Sequence, residues 1–293
     1  MTITILDGGM GQELVARAGF QPSGLWATEI MMRRPKLVRE VHTAYFDAGA
    51  DVATMNTYAV HHDRLEHHGI PDQFQELHLL AQRQALAARD AAGRGQVACS
   101  LGPLGWSYRP DMTPEVTTAA GLYAEIVALH DAHVDLFLAE TVSSLDHARG
   151  VLTGCEAATK PVWLAMSVDD ADGTKLRSGE PVAEALGLLD VFDIAALLIN
   201  CSVPEAVNQA LPELAGSRVP LGAYANGFTH ISQDFMEKAA STDMLQKRQD
   251  LSPERYRDFA QGWIEQGATI VGGCCEVGPA HIRAISDGLK VAA

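Results

Sequence analysis

The stretch Ser252-Pro253-Glu254-Arg255-Tyr256-Arg257-Asp258-Phe259-Ala260-Gln261-Gly262-Trp263-Ile264-Glu265-Gln266-Gly267-Ala268-Thr269-Ile270-Val271-Gly272-Gly273 reads as one complete helix-to-strand unit. Ser252 offers a side-chain cap, and Pro253 sits in the first turn, where its missing N–H costs nothing. Tyr256, Phe259, Trp263 and Ile264 line one helical face. Gly267 stands just past the last helical residue, where a left-handed conformation closes the helix. A short β-branched run, Thr269 to Gly273, follows. The same grammar recurs upstream: Leu37, Val41, Tyr45 and Ala48 share a face, and Ala48-Gly49-Ala50 ends that helix.

Working outward, eight such apolar runs span the chain: Ile3 to Leu6, Asp51 to Met55, Gln96 to Ser100, Val134 to Ala139, Val162 to Ser167, Ala196 to Asn200, Leu221 to Ala225 and Thr269 to Gly273. Strands alternating with helices make a parallel sheet, and eight units in 293 residues match a single (β/α)8 (TIM) barrel in the α/β class, with residues 1–293 as one domain. A doubly wound open sheet would want a phosphate fingerprint between its first strand and first helix, and Asp7-Gly8-Gly9-Met10-Gly11 lacks that spacing. The segments after strands are long, as in Leu101 to Thr113, Val168 to Glu180 and Asn226 to Ser252. In a barrel these all gather at one rim, where chemistry is expected.

Composition narrows the partners. With 22 Lys+Arg against 37 Asp+Glu the formal net charge is −15, which disfavours a phosphate-tracking surface and hence nucleic acid. At 47% hydrophobic and 20% charged residues the chain has the means to bury a core, which excludes disorder. No window has the apolar length of a membrane span, and Met1 to Leu6 carries no export signal. A cytoplasmic protein with no membrane partner is expected, and its five cysteines are read as reduced thiols.

Cys99 and Cys155 lie singly among apolar residues and read as small buried hydrophobes. The other three differ. Cys201 follows the sixth strand and Cys274-Cys275 the eighth, at the same rim as Asp7 after the first strand and Glu140 after the fourth. Three thiols from two strand ends suggest a Zn(Cys)3 site with one open position, Gly272-Gly273 freeing the backbone so that adjacent sulfurs converge. The bland alternative, a buried cysteine pair with no ligand role, stays open at this point. Asp7 and Glu140, taken alone, also fit ordinary capping. Thiolate ligands suit a zinc ion that holds a further thiolate rather than one that activates water, so a thiol substrate follows from the zinc reading.

These residues resemble the zinc-dependent homocysteine S-methyltransferase family over the whole length. The likeness is carried by Asp7-Gly8-Gly9-Met10-Gly11-Gln12-Glu13-Leu14, Leu25-Trp26, Asn56-Thr57-Tyr58, Ala139-Glu140-Thr141, Asn200-Cys201 and Gly272-Gly273-Cys274-Cys275. It implies Zn2+ on Cys201, Cys274 and Cys275. It implies further that the homocysteine amino group meets Asp7 and Glu140, and that its carboxylate meets backbone N–H groups around Gly8 and Gly9, with Met55 beside the substrate. The implied reaction passes a methyl group from a small donor of the S-methylmethionine, S-adenosylmethionine or betaine type to the homocysteine sulfur, giving methionine. Aromatic faces suit a cationic donor, and Trp26 is the first candidate, then Tyr58, with Trp106, Tyr108 and Phe228 as neighbours.

The chain departs from the family pattern at Met55, where Thr is common, at Pro103-Leu104-Gly105, and at Glu276-Val277-Gly278-Pro279. Met55 leaves room for another thiol or a selenol as acceptor, and a zinc-binding barrel without turnover is the non-enzymatic alternative. The segment Asn226 to Ser252 has no counterpart. His61, His62, His67 and His68 are read as solvent-facing rather than as a second metal site, and Asp169-Asp170-Ala171-Asp172 as a solvated loop.

Overall fold

The computed structural model describes residues 2–232, 235 and 245–292. All eight expected strands form: β1 (Thr4–Ile5), β2 (Val52–Thr54), β3 (Gln96–Leu101), β4 (Leu136–Val142), β5 (Val162–Met166), β6 (Ala196–Asn200), β7 (Leu221–Tyr224) and β8 (Ala268–Val271). They pair in parallel in the order β1-β8-β7-β6-β5-β4-β3-β2. The two ends of that order meet. Leu6 bridges Val52 in parallel, Asp51 N–H donates to Ile5 O at 2.7 Å, and Asp7 N–H donates to Val52 O at 3.1 Å. The fold is the (β/α)8 barrel.

Side chains alternate along each strand and so sort into two layers. Leu6, Val52, Ala98, Leu136, Leu138, Ala165, Leu198 and Ile270 pack together inside the barrel. The intervening Ile5, Val97, Phe137, Leu164, Leu197 and Val271 join the larger core between strands and helices. Two residues further along, the same alternation carries Thr54, Ser100 and Glu140 inward at the carboxyl rim. That step places the site.

Between β1 and β2 stand α1 (Met10–Ala18), α2 (Ala27–Arg33) and α3 (Pro35–Ala48). Next come α4 (His62–His67), α5 (Phe74–Ala92), α6 (Val116–His130), α7 (Leu145–Gly154), α8 (Pro204–Glu213), α9 (Pro253–Glu265) and α10 (Pro279–Ala292). The α3 face expected from Leu37, Val41, Tyr45 and Ala48 is buried throughout, and Gly49 closes the helix at φ 109°. In α9 the Ser252 side chain accepts from Arg255 N–H. Its buried Tyr256 donates its hydroxyl to Ala225 O (3.0 Å) and Gly272 O (2.7 Å), locking the helix to the ends of β7 and β8. Phe259 and Ile264 are only partly buried at the edge of that face. Among the described residues no helix is long and apolar enough to cross a membrane.

Several imidazoles lie in the shell around the barrel. His78 Nδ1 contacts His130 Nε2 at 3.0 Å, His78 Nε2 meets Val60 O at 3.0 Å, and His147 Nε2 lies 3.1 Å from the Tyr123 hydroxyl. Burial holds His42 and His78 down at about 3 and His130 and His147 at about 4. In the unfolded chain these groups take up protons near pH 6.5, so between pH 6.5 and about 4 the unfolded state binds more protons and stability falls as pH falls. Buried Asp7 and Glu140, with raised pKa values, act with the opposite sign, and the four imidazoles outweigh the two carboxyls. The urea midpoint is therefore expected to drop from pH 6.5 to pH 4.5; an unchanged midpoint across that range would contradict buried neutral histidines.

Candidate active site

A cavity of about 430 Å³ opens at the carboxyl rim and gathers residues from widely separated parts of the chain. Cys201, Cys274, Cys275, Asp7, Gly8, Gly9, Met55, Glu140, Trp26 and Tyr58 all line it. Trp106 and Tyr108 line it as well. Phe228 does not; it lies behind the wall, packed with Tyr108, Cys201, Ile231, Phe235 and Leu245. Of the unassigned Asn226 to Ser252 segment, residues 233–234 and 236–244 fall outside the described residues. The described part is held by an antiparallel bridge between Phe228 and Lys247.

The three sulfurs lie within 4.8 Å of one another. Backbone bonds fix them there: Cys201 N–H donates to Tyr224 O (3.1 Å), Cys274 N–H to Ala225 O (2.9 Å), and Gly227 N–H to Cys275 O (2.8 Å). Contrary to the expectation of reduced thiols throughout, Cys201 and Cys274 are joined as a disulfide, with Cα atoms 5.5 Å apart. Sulfurs aimed at one point from two strand ends come within bonding reach, and Cys275 stands beside them as a free thiol. Reduced, the donor set fits zinc: sulfurs about 2.3 Å from a tetrahedral ion stand roughly 3.8 Å apart, inside the 4.8 Å within which all three lie. Burial, with Glu276 and Glu140 nearby, pushes the Cys275 thiol up to about 12. The Tyr108 hydroxyl lies 3.1 Å from Cys201 Sγ.

Both carboxyl groups are buried and hydrogen-bonded. Asp7 accepts from Thr54 N–H at 2.7 Å and from the Thr54 hydroxyl at 2.8 Å. Glu140 accepts from the Ser100 hydroxyl and, at 3.3 Å, from that of Tyr224. Burial raises Asp7 to about 8 despite the Thr54 bonds, with a further push from Glu140. Burial also raises Glu140 to about 7, against the Ser100 and Tyr224 bonds. Glu140 lies within β4 rather than after it. The strand continues to Val142 through a register shift beyond Ala139, and Asn200 secures it by accepting from Thr141 N–H (3.0 Å) and donating to the Thr141 hydroxyl (3.2 Å).

The glycines around Asp7 and before Cys274 serve close approach. A Cβ at Gly8 would stand 2.0 Å from Val277 O, and one at Gly9 2.7 Å from Cys274 O. Gly9 N–H already donates to Val277 O at 2.9 Å. It is therefore engaged, a correction to the expectation that it faces a ligand carboxylate. Met10 and Gly11, in the first turn of α1, also line the cavity, where helical N–H groups lack internal partners.

Backbone strain collects here. Among the described residues the non-glycine positions with positive φ are Trp26, Tyr108, Thr141, Cys201 and Glu276. Three line the cavity and two adjoin residues that do. Such conformations cost about 1–3 kcal/mol each and persist where the surroundings enforce them.

Thr54, Ser100, Tyr224 and Phe235 escaped the sequence reading. The first three acquire meaning only when barrel closure sets them against Asp7 and Glu140. Two other readings are corrected. His61, the extended residue that precedes α4, is buried rather than solvated, edge-on to Tyr123. Asp170 is no solvated acid: it pairs with Arg177 at 2.9 Å, both nearly buried, and accepts from Val203 N–H (3.1 Å) and Ile231 N–H (2.8 Å). The Arg177 guanidinium lies 5.1 Å from the Tyr108 ring centre.

Comparison with known proteins agrees with this geometry. A family model described as homocysteine S-methyltransferase matches residues 4–289. The chain is 30% identical to the homocysteine S-methyltransferase of Escherichia coli (strain K12), over 97% of its own length and 94% of that protein. To homocysteine S-methyltransferase YbgG of Bacillus subtilis (strain 168) it is 26% identical, over 97% and 93%. The crystal structure of the homocysteine methyltransferase MmuM from Escherichia coli in its metallated form matches with a TM-score of 0.81 at 27% identity, covering 98% of this chain and 96% of that one. Its oxidized form matches with the same TM-score of 0.81.

The glycine contacts make a specific claim about stability. Gly8→Ala forces a methyl group onto a backbone oxygen and is expected to cost about 2 kcal/mol or more. Gly262→Ala, in α9 with nothing within 4 Å of the added atom, is expected to gain roughly 0.5–1 kcal/mol. Thermal melts of the two variants decide it; equal shifts would mean that the contact at Gly8 is slack.

Proposed function

Because the chain belongs to the homocysteine S-methyltransferase family, we propose that it moves a methyl group from a small onium donor to the sulfur of homocysteine, with zinc held by Cys201, Cys274 and Cys275. The observation that carries this reading is the meeting of three sulfurs and two buried carboxyl groups in one cavity. A metal store has no use for the carboxyls, whereas an amino-acid substrate does.

Zinc, when bound, supplies the positive charge that keeps the homocysteine thiol ionised at neutral pH while leaving its sulfur nucleophilic. The residues of the chain do the rest. Asp7 and Glu140 receive the ammonium group, whose charge draws their raised pKa values back down and leaves both carboxylates ionised. The homocysteine carboxylate meets the N–H groups of Gly8 and of the first turn of α1 at Met10 and Gly11, while Gly9 contributes by letting the chains touch. Met55, buried at 1% exposure, packs against the methylene chain. Trp26 faces the onium group, with Tyr58 beside it.

The thiol proton leaves to solvent on binding, and a sulfur lone pair forms the new S–CH3 bond. The methyl–sulfur or methyl–nitrogen bond of the donor breaks, its electron pair staying with the donor, which departs as a neutral thioether or tertiary amine. Positive charge disappears along the way, so an apolar, aromatic cavity favours the transition state over the reactants.

The test is zinc analysis of reduced protein followed by methionine formation from homocysteine with S-methylmethionine, S-adenosylmethionine and betaine. About one zinc per chain and turnover with at least one donor are expected. Methylation of no thiol, or only of thiols lacking the amino acid group, overturns the reading. Cys275→Ser is expected to lose most of the zinc and the activity. Glu140→Gln should keep the zinc and raise the homocysteine KM about 30-fold or more. Because Asp7 and Glu140 must be ionised to hold an ammonium, kcat/KM for homocysteine is expected to rise with pH through about 7 to 8, and the slope should be shallower in Glu140→Gln.

A further inference from the structure

Among the described residues Arg64, on α4, is the single arginine or lysine lining the cavity. Its guanidinium is held firmly without being neutralised. Nη2 donates to Pro103 O and Gly105 O, each at 3.3 Å, and the group stands 6.0 Å from the Tyr58 ring centre and 5.6 Å from that of Trp106. Its Nε is buried without a hydrogen-bond partner. Among the described residues no carboxylate pairs with it. The adjacent Asp63 is spent on backbone, accepting from Gly105 N–H at 3.1 Å and from Arg64 N–H at 2.8 Å.

A half-buried cation lacking an anion, in a chain of net charge −15, is costly unless a ligand completes it. With Nη2 spent on the two carbonyls and Nε buried, Nη1 is the donor left to a ligand, and a charged guanidinium N–H makes its strongest bonds to a carboxylate. The charges of the cavity also assign the ligand. Asp7 and Glu140, with the thiol cluster, make one part of the cavity acidic and suited to ammonium, while at the wall of Tyr58 and Trp106, which Asp63 also lines, Arg64 presents a guanidinium that no described carboxylate pairs with. Within one donor the carboxylate then lies toward Arg64 and the onium group toward Trp26, with Tyr58 between the two.

From this we propose that Arg64 binds the carboxylate of the methyl donor and so discriminates among onium donors by that group. This rests on the reading that the cavity takes a methyl donor beside homocysteine. Arg64 is a specificity residue: it sets which donors are used and takes no part in the bond changes.

The experiment compares reduced, zinc-loaded wild type with Arg64→Met and Arg64→Lys. Three donors serve as arms: S-methylmethionine as an amino-acid sulfonium, betaine as a carboxylated ammonium, and trimethylsulfonium, which has no carboxylate. In Arg64→Met the kcat/KM for the carboxylated donor is expected to fall about 30-fold or more, with Arg64→Lys between it and wild type. Trimethylsulfonium turnover and the homocysteine KM should stay within about twofold. Whichever of S-methylmethionine and betaine shows the loss identifies the donor's source. A merely structural Arg64 would slow all donors together, and a homocysteine-binding Arg64 would raise the homocysteine KM instead; either result overturns the proposal, as does an unchanged carboxylated-donor KM. Calorimetric titration of each donor into the protein without homocysteine separates this inference from the reading it rests on. Binding of a carboxylated donor to wild type and not to Arg64→Met supports it even if no methyl transfer is seen, and absence of such binding in wild type, with no turnover, defeats it.

Discussion

The loops after β1 and β8 lie backbone against backbone. Gly9 N–H reaches Val277 O and Gly273 N–H reaches Asp7 O, each at 2.9 Å, and a Cβ at Gly272 would stand 2.5 Å from that of Leu6. Neighbouring parallel strands alone would leave those loops room to diverge. Glycine removes the side chains that would hold them apart, and Asp7, the first turn of α1 and the cysteine pair then belong to one junction. On the other flank Asn200 ties the end of β6 to the shifted end of β4, which brings Glu140 and Cys201 to the same opening. The spacing of sulfur and carboxyl groups is thus set by the backbone contacts of the β1 and β8 loops together with the Asn200 side chain.

Electrostatics follow from that packing. Two carboxyl groups taken out of water beside each other resist ionisation, and the hydroxyls of Thr54, Ser100 and Tyr224 only partly compensate. Burial therefore holds back the charge of both carboxyl groups, and in the proposed function an arriving ammonium is what makes the carboxylates favourable. In the proposed function, selectivity for an amino acid over a simple thiol comes from coupled charge formation rather than from shape alone.

Much of this was legible in the chain. The glycine stops at Gly49 and Gly267 and the β-branched runs identify the barrel, because each helix–strand unit carries its own boundaries. All ten of the residues proposed for the site line one cavity, since strand-end positions in a parallel barrel share a rim. What stayed hidden depended on neighbours remote in sequence. Glu140 looked like a loop residue because the polar Glu140-Thr141 pair conceals a strand that ends in a register shift. Met10-Gly11 looked like a turn although α1 begins there. Thr54 and Tyr224 are ordinary strand residues until the closed barrel sets them against carboxyl groups, and His61 and Asp170 read as polar surface because their burial comes from packing between loops.

The Asp170–Arg177 pair bears on how such a barrel can diversify. One carboxylate accepts backbone donors from the loops after β6 and β7, while its guanidinium partner lies under an aromatic ring carried by the loop after β3. These rim segments are therefore not independent modules. A chimera that imported the β5 loop alone from a relative would strand two amides and unseat Tyr108, so recombination in this region has to graft the four loops as a block.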